Sequence, residues 1–417
     1  MIDTPTLLER FCRYVRIDTE ASETRNAAGE YPSSPGQLIL GRMLAVELRA
    51  LGIEDVVHTP KGLVFATIPA TVEHDTPVIA WLAHLDTSPE TSGKNVNPQI
   101  HANYDGSDIV LPGDKTKVLR PREFPDLQAV IGKTIITTDG TTLLGADNKA
   151  GIAVIMETVA FLLRHPEIPH GRIRICFTCD EEIGCGVLHL DPVQLGAVVA
   201  YTLDGMAQGE IEAETFSADK AVVTIQGINI HPSIAKGKMV NALRLAGKFI
   251  DRLPQQTLAP EVTAGREGFL HPYQIDGGVM EVKISFLLRD FVTTKLTEQA
   301  NLLREIGHQL EREYPEARIT VTTREQYRNM ADGIAKEPRA VSLAQEATRL
   351  AGMEPKMLSI RGGTDGALLT AKGVPTPNLS TAEHNPHSPL EWTCLEEMQS
   401  AVGVLVELAR VWAEAGE

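Results

Sequence analysis

The sequence predicts an α/β protein in which a mainly parallel sheet, covered by helices, forms the larger domain. A ferredoxin-like α+β domain is predicted to be inserted into it. Three observations carry this reading. Strand-like and helix-like segments alternate through the first half of the chain, as a parallel sheet with covering helices requires. From about Ser217 the order becomes β-α-β-β-α-β, that of a ferredoxin-like sandwich. The alternation then resumes toward the C-terminus. The expected boundaries are 1–214 for the first part of the larger domain, 215–325 for the insertion and 326–417 for the second part.

The elements follow from their patterns. PGQLILGRMLAVELRALG has helical spacing and ends at a glycine. PVIAWLAHLD is a nearly continuous apolar run, expected of a strand buried on both faces. KAGIAVIMETVAFLLRHP reads as a long apolar helix stopped by Pro166, and RIRICFTCD and GAVVAYTLDG read as further strands. In the insertion, SADKAVVTIQG is a strand and MVNALRLAGKFIDRL a helix. A short strand near Tyr273 precedes the strand GGVMEVKISFLLRD. The helix TTKLTEQANLLREIGHQLEREYP and the strand ARITVTTREQY follow. ALLTAKGVPTPNLS returns the chain to the first pattern, and CLEEMQSAVGVLVELARVWAEAG is the last helix.

Length and composition bound the function. A chain of 417 residues exceeds the size at which one core keeps growing, so two domains are the default. The formal charge of −16 argues against nucleic acid or an anionic membrane as partner. Five cysteines are too few and too irregular for a secreted disulfide framework. Cys176 and Cys179 form a C-x-x-C, but they end an apolar strand and no second pair completes a zinc ribbon. The N-terminus lacks a basic region followed by an apolar core, and no run approaches the ~20 apolar residues of a membrane span. Cytoplasmic residence is the expectation.

Chemistry-bearing residues cluster at the ends of apolar runs. His84 and Asp86 close PVIAWLAHLD, Asp147 lies in LLGADNKAGIAV, and Glu181 and Glu182 follow RIRICFTCD. Asp204 closes VVAYTLDG, and His387 lies in HNPHSPLEW. Singly, each has an ordinary explanation: a strand-end cap for His84 and Asp86, a helix N-cap for Asp147, an acidic turn for Glu181 and Glu182, a turn residue for Asp204. Together they supply two histidines and several carboxylates, a donor set that suits two adjacent Zn²⁺ ions. His84, Asp86, Glu181, Glu182 and Asp204 also fall at carboxyl ends of strands, where ligands gather in such sheets. Structural carboxylates have no reason to prefer that edge. The chain therefore reads as a dinuclear metallohydrolase. One of the adjacent glutamates can ligate while the other holds a proton.

These residues also carry a family resemblance. HLDTSPETSGKNVNPQI, GTTLLGADNKAG, FTCDEEIGCG, YTLDG, NIHPSIAKGKMVNA and IRGGTDGALL resemble the peptidase T branch, the tripeptide aminopeptidases, of the aminoacylase-like dinuclear zinc peptidases. RFCRYVRIDT and SSPGQ extend the likeness over nearly the whole chain. The resemblance implies His84 and Asp204 on one zinc, Glu182 and His387 on the other, and Asp147 bridging. It implies Glu181 as general base, Asp86 as the partner of His84, and a cis peptide between Asp147 and Asn148. It makes His231 an oxyanion stabiliser and the insertion a lid. Arg289 and Arg361 could then grip a substrate carboxylate, for which a planar guanidinium is suited.

Two departures stand out. Asn148 follows Asp147 where the family carries a second Asp, and Pro386 precedes His387 where it carries an aromatic. With His384 nearby, His387 is preferred as ligand on the alignment of Glu391. The expected activity is release of the N-terminal residue from tripeptides, with small peptides as substrates. A deacylase or carboxypeptidase of the same superfamily is the alternative, and a metal-bound protein without turnover a distant third. The sequence leaves the oligomeric state open, a homodimer included, as it does the physiological metal; Co²⁺ or Mn²⁺ could replace zinc.

Overall fold

The computed structural model describes residues 2–415. They divide into two compact units. The first comprises the chain up to Ala213, Met330–Leu358 and the chain from Thr364 onward. The second is Glu214–Asn329 joined by Ser359–Gly363. Arg361 therefore groups with the second unit, although it follows residue 325 in sequence.

The first unit is built on an eight-stranded sheet. Its centre is parallel: Ile173–Thr178, Ile79–His84, Val199–Gly205 and Asn378–Ser380 are successive neighbours. Its flanks are antiparallel, with Val64–Ile68 beside the first of these and Glu210–Thr215 beside the last. Periodicity does not distinguish these two kinds of neighbour, so the sequence did not place the boundary between them. The continuous apolar runs behave as expected, and every residue of Ile79–His84 is buried. The helix Ala146–Arg164 lies against Ile79–His84 and Val199–Gly205 and is flanked by the helices Thr4–Val15 and Leu395–Glu414. Helix Leu395–Glu414 is also tied to the sheet by a bond from Trp412 Nε1 to Tyr201 Oη at 2.8 Å.

A small second sheet escaped the sequence reading. It has the order Glu383–His384, Trp392–Cys394, Ile135–Thr137, Gln99–His101. Its strands have two or three residues, too few for a period to show. The helix Arg339–Leu350 was likewise not anticipated.

The second unit has the predicted β-α-β-β-α-β order. Its sheet runs Phe269–Gly277, Glu281–Asp290, Ser217–Gln226, Arg318–Tyr327, with every neighbour antiparallel. The strand at Tyr273 is nine residues long rather than short. Alternation explains the layering: Val282, Ile284, Phe286 and Leu288 are fully buried against Ala242–Asp251 and Thr293–Glu313.

Cys176 and Cys179 are buried and form no disulfide, and burial pushes their thiols up, as inert core residues. Among the described residues no helix is long and apolar enough to cross a membrane.

The N-terminal helix is fastened by charge. Arg10 reaches Glu157 through Nη1 and Glu47 Oε1 through Nε at 2.8 Å, and the Glu157 side chain is 0% exposed. Arg164, half in solvent, is its other cation, at 2.9 Å. Removing one partner of a buried pair strands the other charge. Arg10→Met is expected to cost about 3–5 kcal/mol in chemical denaturation. A loss under about 1 kcal/mol would show that Arg164 alone suffices.

Candidate metal centre

Three parallel strands deliver residues to one edge of the sheet. Ile79–His84 ends in His84 and is followed by Asp86. Ile173–Thr178 leads through Asp180, at φ 62°, into a 3₁₀ turn that begins Glu181-Glu182. Val199–Gly205 carries Asp204 next to its last residue. Asp147 comes from the first turn of the Ala146–Arg164 helix, after Gly145 at φ 79°. The Asp147–Asn148 peptide is cis, as the resemblance implied. His387, at φ 61°, lies on the loop between the short strands Glu383–His384 and Trp392–Cys394.

The side chains meet in two groups that share one member. His84, Asp147 and Asp204 form one, and Asp147, Glu182 and His387 the other; within each, the ligand atoms lie within 4.8 Å of one another. His84 Nε2 is 2.9 Å from Asp147 Oδ1 and 3.2 Å from Asp204 Oδ1. His387 Nε2 is 3.2 Å from Asp147 Oδ2 and 2.9 Å from Glu182 Oε2. Asp147 thus turns one oxygen to each group.

These residues fit a pair of metal ions. His84 Nε2 and Asp147 Oδ1 face each other at 2.9 Å, and both, like Glu182 Oε1, are buried without a hydrogen bond. Buried polar atoms in folded proteins are ordinarily satisfied, so convergence without bonding points to ligation. Imidazole with carboxylate is a donor set for zinc or a similar divalent ion.

The electrostatics say the same. Burial, then Asp147, pushes the Glu182 carboxyl up to about 8, and burial pushes Asp204 up to about 6. Burial opposes a charged His387, yet Asp147 and Glu182 push its imidazole up to about 11. Burial likewise opposes ionised Asp147, but His387 and His84 hold it well below the usual carboxylate range. The site calls for positive charge.

Supporting groups fix the ligands. Asp86 is fully buried; its Oδ1 accepts the Glu181 N–H at 3.1 Å and its Oδ2 the Glu182 N–H at 3.0 Å. His84 Nδ1 lies 3.2 Å from the Asp86 carbonyl and 3.4 Å from Asp86 Oδ1. An N–H there leaves Nε2 to ligate. Glu391 accepts the N–H groups of Leu144, Gly145 and Asp147 at 2.7, 2.8 and 3.1 Å, so it shapes the turn that presents Asp147. Glu181 Oε1 accepts the Asp365 N–H at 3.2 Å. Burial, reinforced by Asp204, Asp365 and Glu182 against the pull of His84, pushes the Glu181 carboxyl well up. Reasoning from sequence used Glu391 only as an alignment mark and missed Asp365. Neither carries a local spacing signal, because its partners are far away in the chain. His384 is placed elsewhere: it bonds Glu397 Oε2 at 2.9 Å and stacks on Trp392 at 3.7 Å.

His231, Arg289 and Arg361 belong to the second unit. His231 is exposed, with Nδ1 bonded to Ser233 Oγ at 2.7 Å, which leaves Nε2 as the nitrogen available to a ligand. Arg289 is 8% exposed. Its fork is held by the carbonyls of Asp219 and Leu288 and by Gln326 Oε1, over the Tyr327 ring. Arg361 is half-buried and donates to the carbonyls of Thr263, Gly265 and Glu267, beside Phe216 and Phe269. Both arginines already have internal acceptors.

A sheet edge that gathers paired histidine–carboxylate groups is the mark of a metal-dependent hydrolase, and comparison with known proteins agrees. A family model described as Peptidase family M20/M25/M40 matches residues 139–411, and the chain belongs to that family. It is 45% identical over 408 residues to the Peptidase T of Listeria monocytogenes serotype 4a (strain HCC23), covering 98% of each chain. Among solved structures, the aminopeptidase PepT from Bacillus cereus ATCC 10987 matches with a TM-score of 0.76 at 24% identity over 99% of each chain. A Bacillus subtilis protein described as a dinuclear metal binding peptidase matches at 0.66 and 16% identity, over 99% of this chain and 98% of its own. These structural likenesses establish the fold.

The shared carboxylate yields a test. Asp147→Ala should empty both groups, whereas Asp204→Ala or Glu182→Ala should empty one. Metal analysis after desalting reads the difference. Two ions retained by Asp147→Ala would exclude a bridging role.

Proposed function

We propose that the chain is a tripeptide aminopeptidase that uses two zinc ions to release the N-terminal residue of small peptides. The observation that carries this is the pair of ligand groups sharing Asp147, in a chain 45% identical over 98% of its length to a Peptidase T. In this reading His84 and Asp204 hold one ion, Glu182 and His387 the other, and Asp147 both. When bound, such a pair acidifies a water and polarises the scissile carbonyl. Glu181 takes the proton of the attacking water and returns it to the leaving amine. The Asp365 N–H keeps the Glu181 carboxylate oriented, and Asp86 fixes both the ligating histidine and the turn that carries the base. His231 stabilises the oxyanion, and the inserted unit acts as a lid that excludes water. Arg361 is the proposed anchor for the substrate carboxylate, with Arg289 second. Either must exchange an internal acceptor for the substrate, and the sealed Arg289 has the harder exchange. Cytoplasmic residence, without nucleic acid or membrane partners, belongs to the same reading.

Product analysis on a panel of tripeptides, free and N-acetylated, with and without chelator, tests it. Release of the first residue from free peptides only, abolished by chelator, is the expected result. Cleavage of the acetylated peptides would favour a deacylase or carboxypeptidase instead.

Two variants separate the roles. Glu181→Gln should keep both ions while kcat falls by about two to four orders of magnitude, the usual contribution of a proton-transfer group. If Glu181→Gln loses an ion and Glu182→Gln does not, the roles of the pair are reversed.

Arg361→Ala should lower kcat/KM for tripeptides far more than for their C-terminal amides, because only the former offer the carboxylate it would grip. Equal losses would assign Arg361 to holding the 263–267 loop.

A further inference from the structure

The SSPGQ string, residues 33–37, has no task in the reading above, yet it reaches the turn that carries the base. It belongs to a segment, 17–37, that wraps two catalytic turns. The first half of that segment runs beside the loop after His84. Ala21 N donates to Thr87 O at 2.9 Å, Thr87 N donates to Thr19 O at 3.3 Å, and Glu20 and Thr87 form a parallel bridge. The buried Lys149, two residues after Asp147, donates to Ile17 O at 2.8 Å.

The second half seizes Asp180. Asp180 Oδ2 accepts the Ser33 N–H at 2.7 Å. Its Oδ1 accepts the Ser33 hydroxyl at 2.5 Å and Gln37 Nε2 at 2.7 Å. The Asp180 N–H donates in return to Gln37 Oε1 at 3.0 Å. Ser33, Gln37 and Asp180 are all 0% exposed. The segment is drawn in so closely that a Cβ on Gly36 would lie 1.6 Å from Asp18 O.

Asp180 immediately precedes Glu181 and sits in the left-handed region at φ 62°. Few residues other than glycine take that conformation; aspartate is among those that tolerate it, and its surroundings then select it. Here Ser33 and Gln37 hold the Asp180 carboxylate and N–H, and the Cys185 N–H donates to the Asp180 carbonyl at 2.8 Å. The direction of the chain leaving Asp180 decides where the next two N–H groups point, and both point at Asp86. The turn is thus gripped by Asp86 on one side and by the Ser33–Gln37 clasp on the other. A fully satisfied buried polar network of this kind fixes one geometry, because losing any member leaves buried groups unpaired.

We propose that Ser33 and Gln37 are positioning residues for the Glu181–Glu182 pair, acting through Asp180. The kinetic test of this rests on the aminopeptidase reading; the metal test does not. Gln37→Leu keeps the volume and removes both amide contacts to Asp180, and Ser33→Ala removes one hydroxyl. Both are compared in the full chain with Arg10→Met, a variant that loses a buried ion pair but touches none of the side chains of Ser33, Gln37 and Asp180. Zinc retention against graded chelator, kcat and KM on a tripeptide, and Tm are measured.

Misplacing Glu182 should make one of the two zinc equivalents about 10–100-fold easier to remove, as loss of outer partners of metal ligands does, and kcat should fall in the same range with KM within about twofold. Arg10→Met should lower Tm yet keep zinc retention and kcat. If Gln37→Leu and Ser33→Ala lower Tm but retain zinc and kcat like Arg10→Met, the clasp only stabilises the fold and the proposal is overturned. Should Gln37→Leu not fold, Ser33→Ala carries the same comparison. If the wild-type chain turns over no tripeptide, the aminopeptidase reading fails and the zinc comparison alone decides the clasp. A wild-type chain that retains no zinc overturns both.

Discussion

The constraint on which this architecture depends is the concentration of carboxylates away from water. Asp86, Asp147, Glu181, Glu182, Asp204 and Asp365 gather around two histidines at one sheet edge. Burial pushes Asp365 up to about 7, and it pushes Glu182 and Asp204 up as well. An isolated buried carboxylate is so costly that it normally takes up a proton. The alternative to protons is cations, and His84 and His387 show how strongly the site draws positive charge: both are pushed up despite their own burial. A cluster of this kind has little purpose in a fold that only needs stability. It is a place prepared for divalent ions, and the elements around it exist to keep its members from moving apart.

That containment comes from elements of different kinds. The parallel strands set the spacing between His84, Glu182 and Asp204, because their register is locked by the ladder and by burial on both faces. The helix N-terminus places Asp147, with Glu391 gathering three N–H groups of the turn before it. The small antiparallel sheet holds the loop of His387, and the stacking of His384 on Trp392 gives that sheet a rigid edge. None of these converging side chains depends on a free loop alone, and a precise constellation demands that.

Much of this was legible in the sequence, for a physical reason. Strands buried on both faces read as continuous apolar runs, and polar side chains that converge on a site tend to follow at their carboxyl ends. His84, Glu182 and Asp204 could therefore be found by looking just past PVIAWLAHLD, RIRICFTCD and VVAYTLDG. The insertion was legible because its sheet is covered on one face and alternates, as EVKISFLLRD does. The strands of Glu383–His384 and Trp392–Cys394 were not legible, because two or three residues show no period. The partners of Glu391 and Asp365 were hidden for another reason. A carboxylate that accepts backbone N–H groups from a distant turn leaves no mark on the identity of those residues, since every residue but proline offers the same donor. The internal bonds of Arg289 and Arg361 to carbonyls were invisible on the same ground.

Asp86 couples the two sides of the site. One carboxylate faces the far nitrogen of His84 and accepts the N–H groups of both Glu181 and Glu182. His84 and the Glu181–Glu182 turn are therefore held by a single buried anion. Groups that share such a partner do not contribute independently. Losing Asp86 would release the His84 imidazole and the Glu181–Glu182 turn together. The clasp of Ser33 and Gln37 on Asp180 approaches the same turn from the opposite side. The turn is short, starts at a left-handed link and closes on itself through the Cys185 N–H to the Asp180 carbonyl at 2.8 Å, but these local bonds do not anchor it to the sheet. Two opposed sets of hydrogen bonds define its direction instead. This is how a short segment with little intrinsic preference comes to place two adjacent glutamates in different directions, one toward His387 and one toward the amide of Asp365.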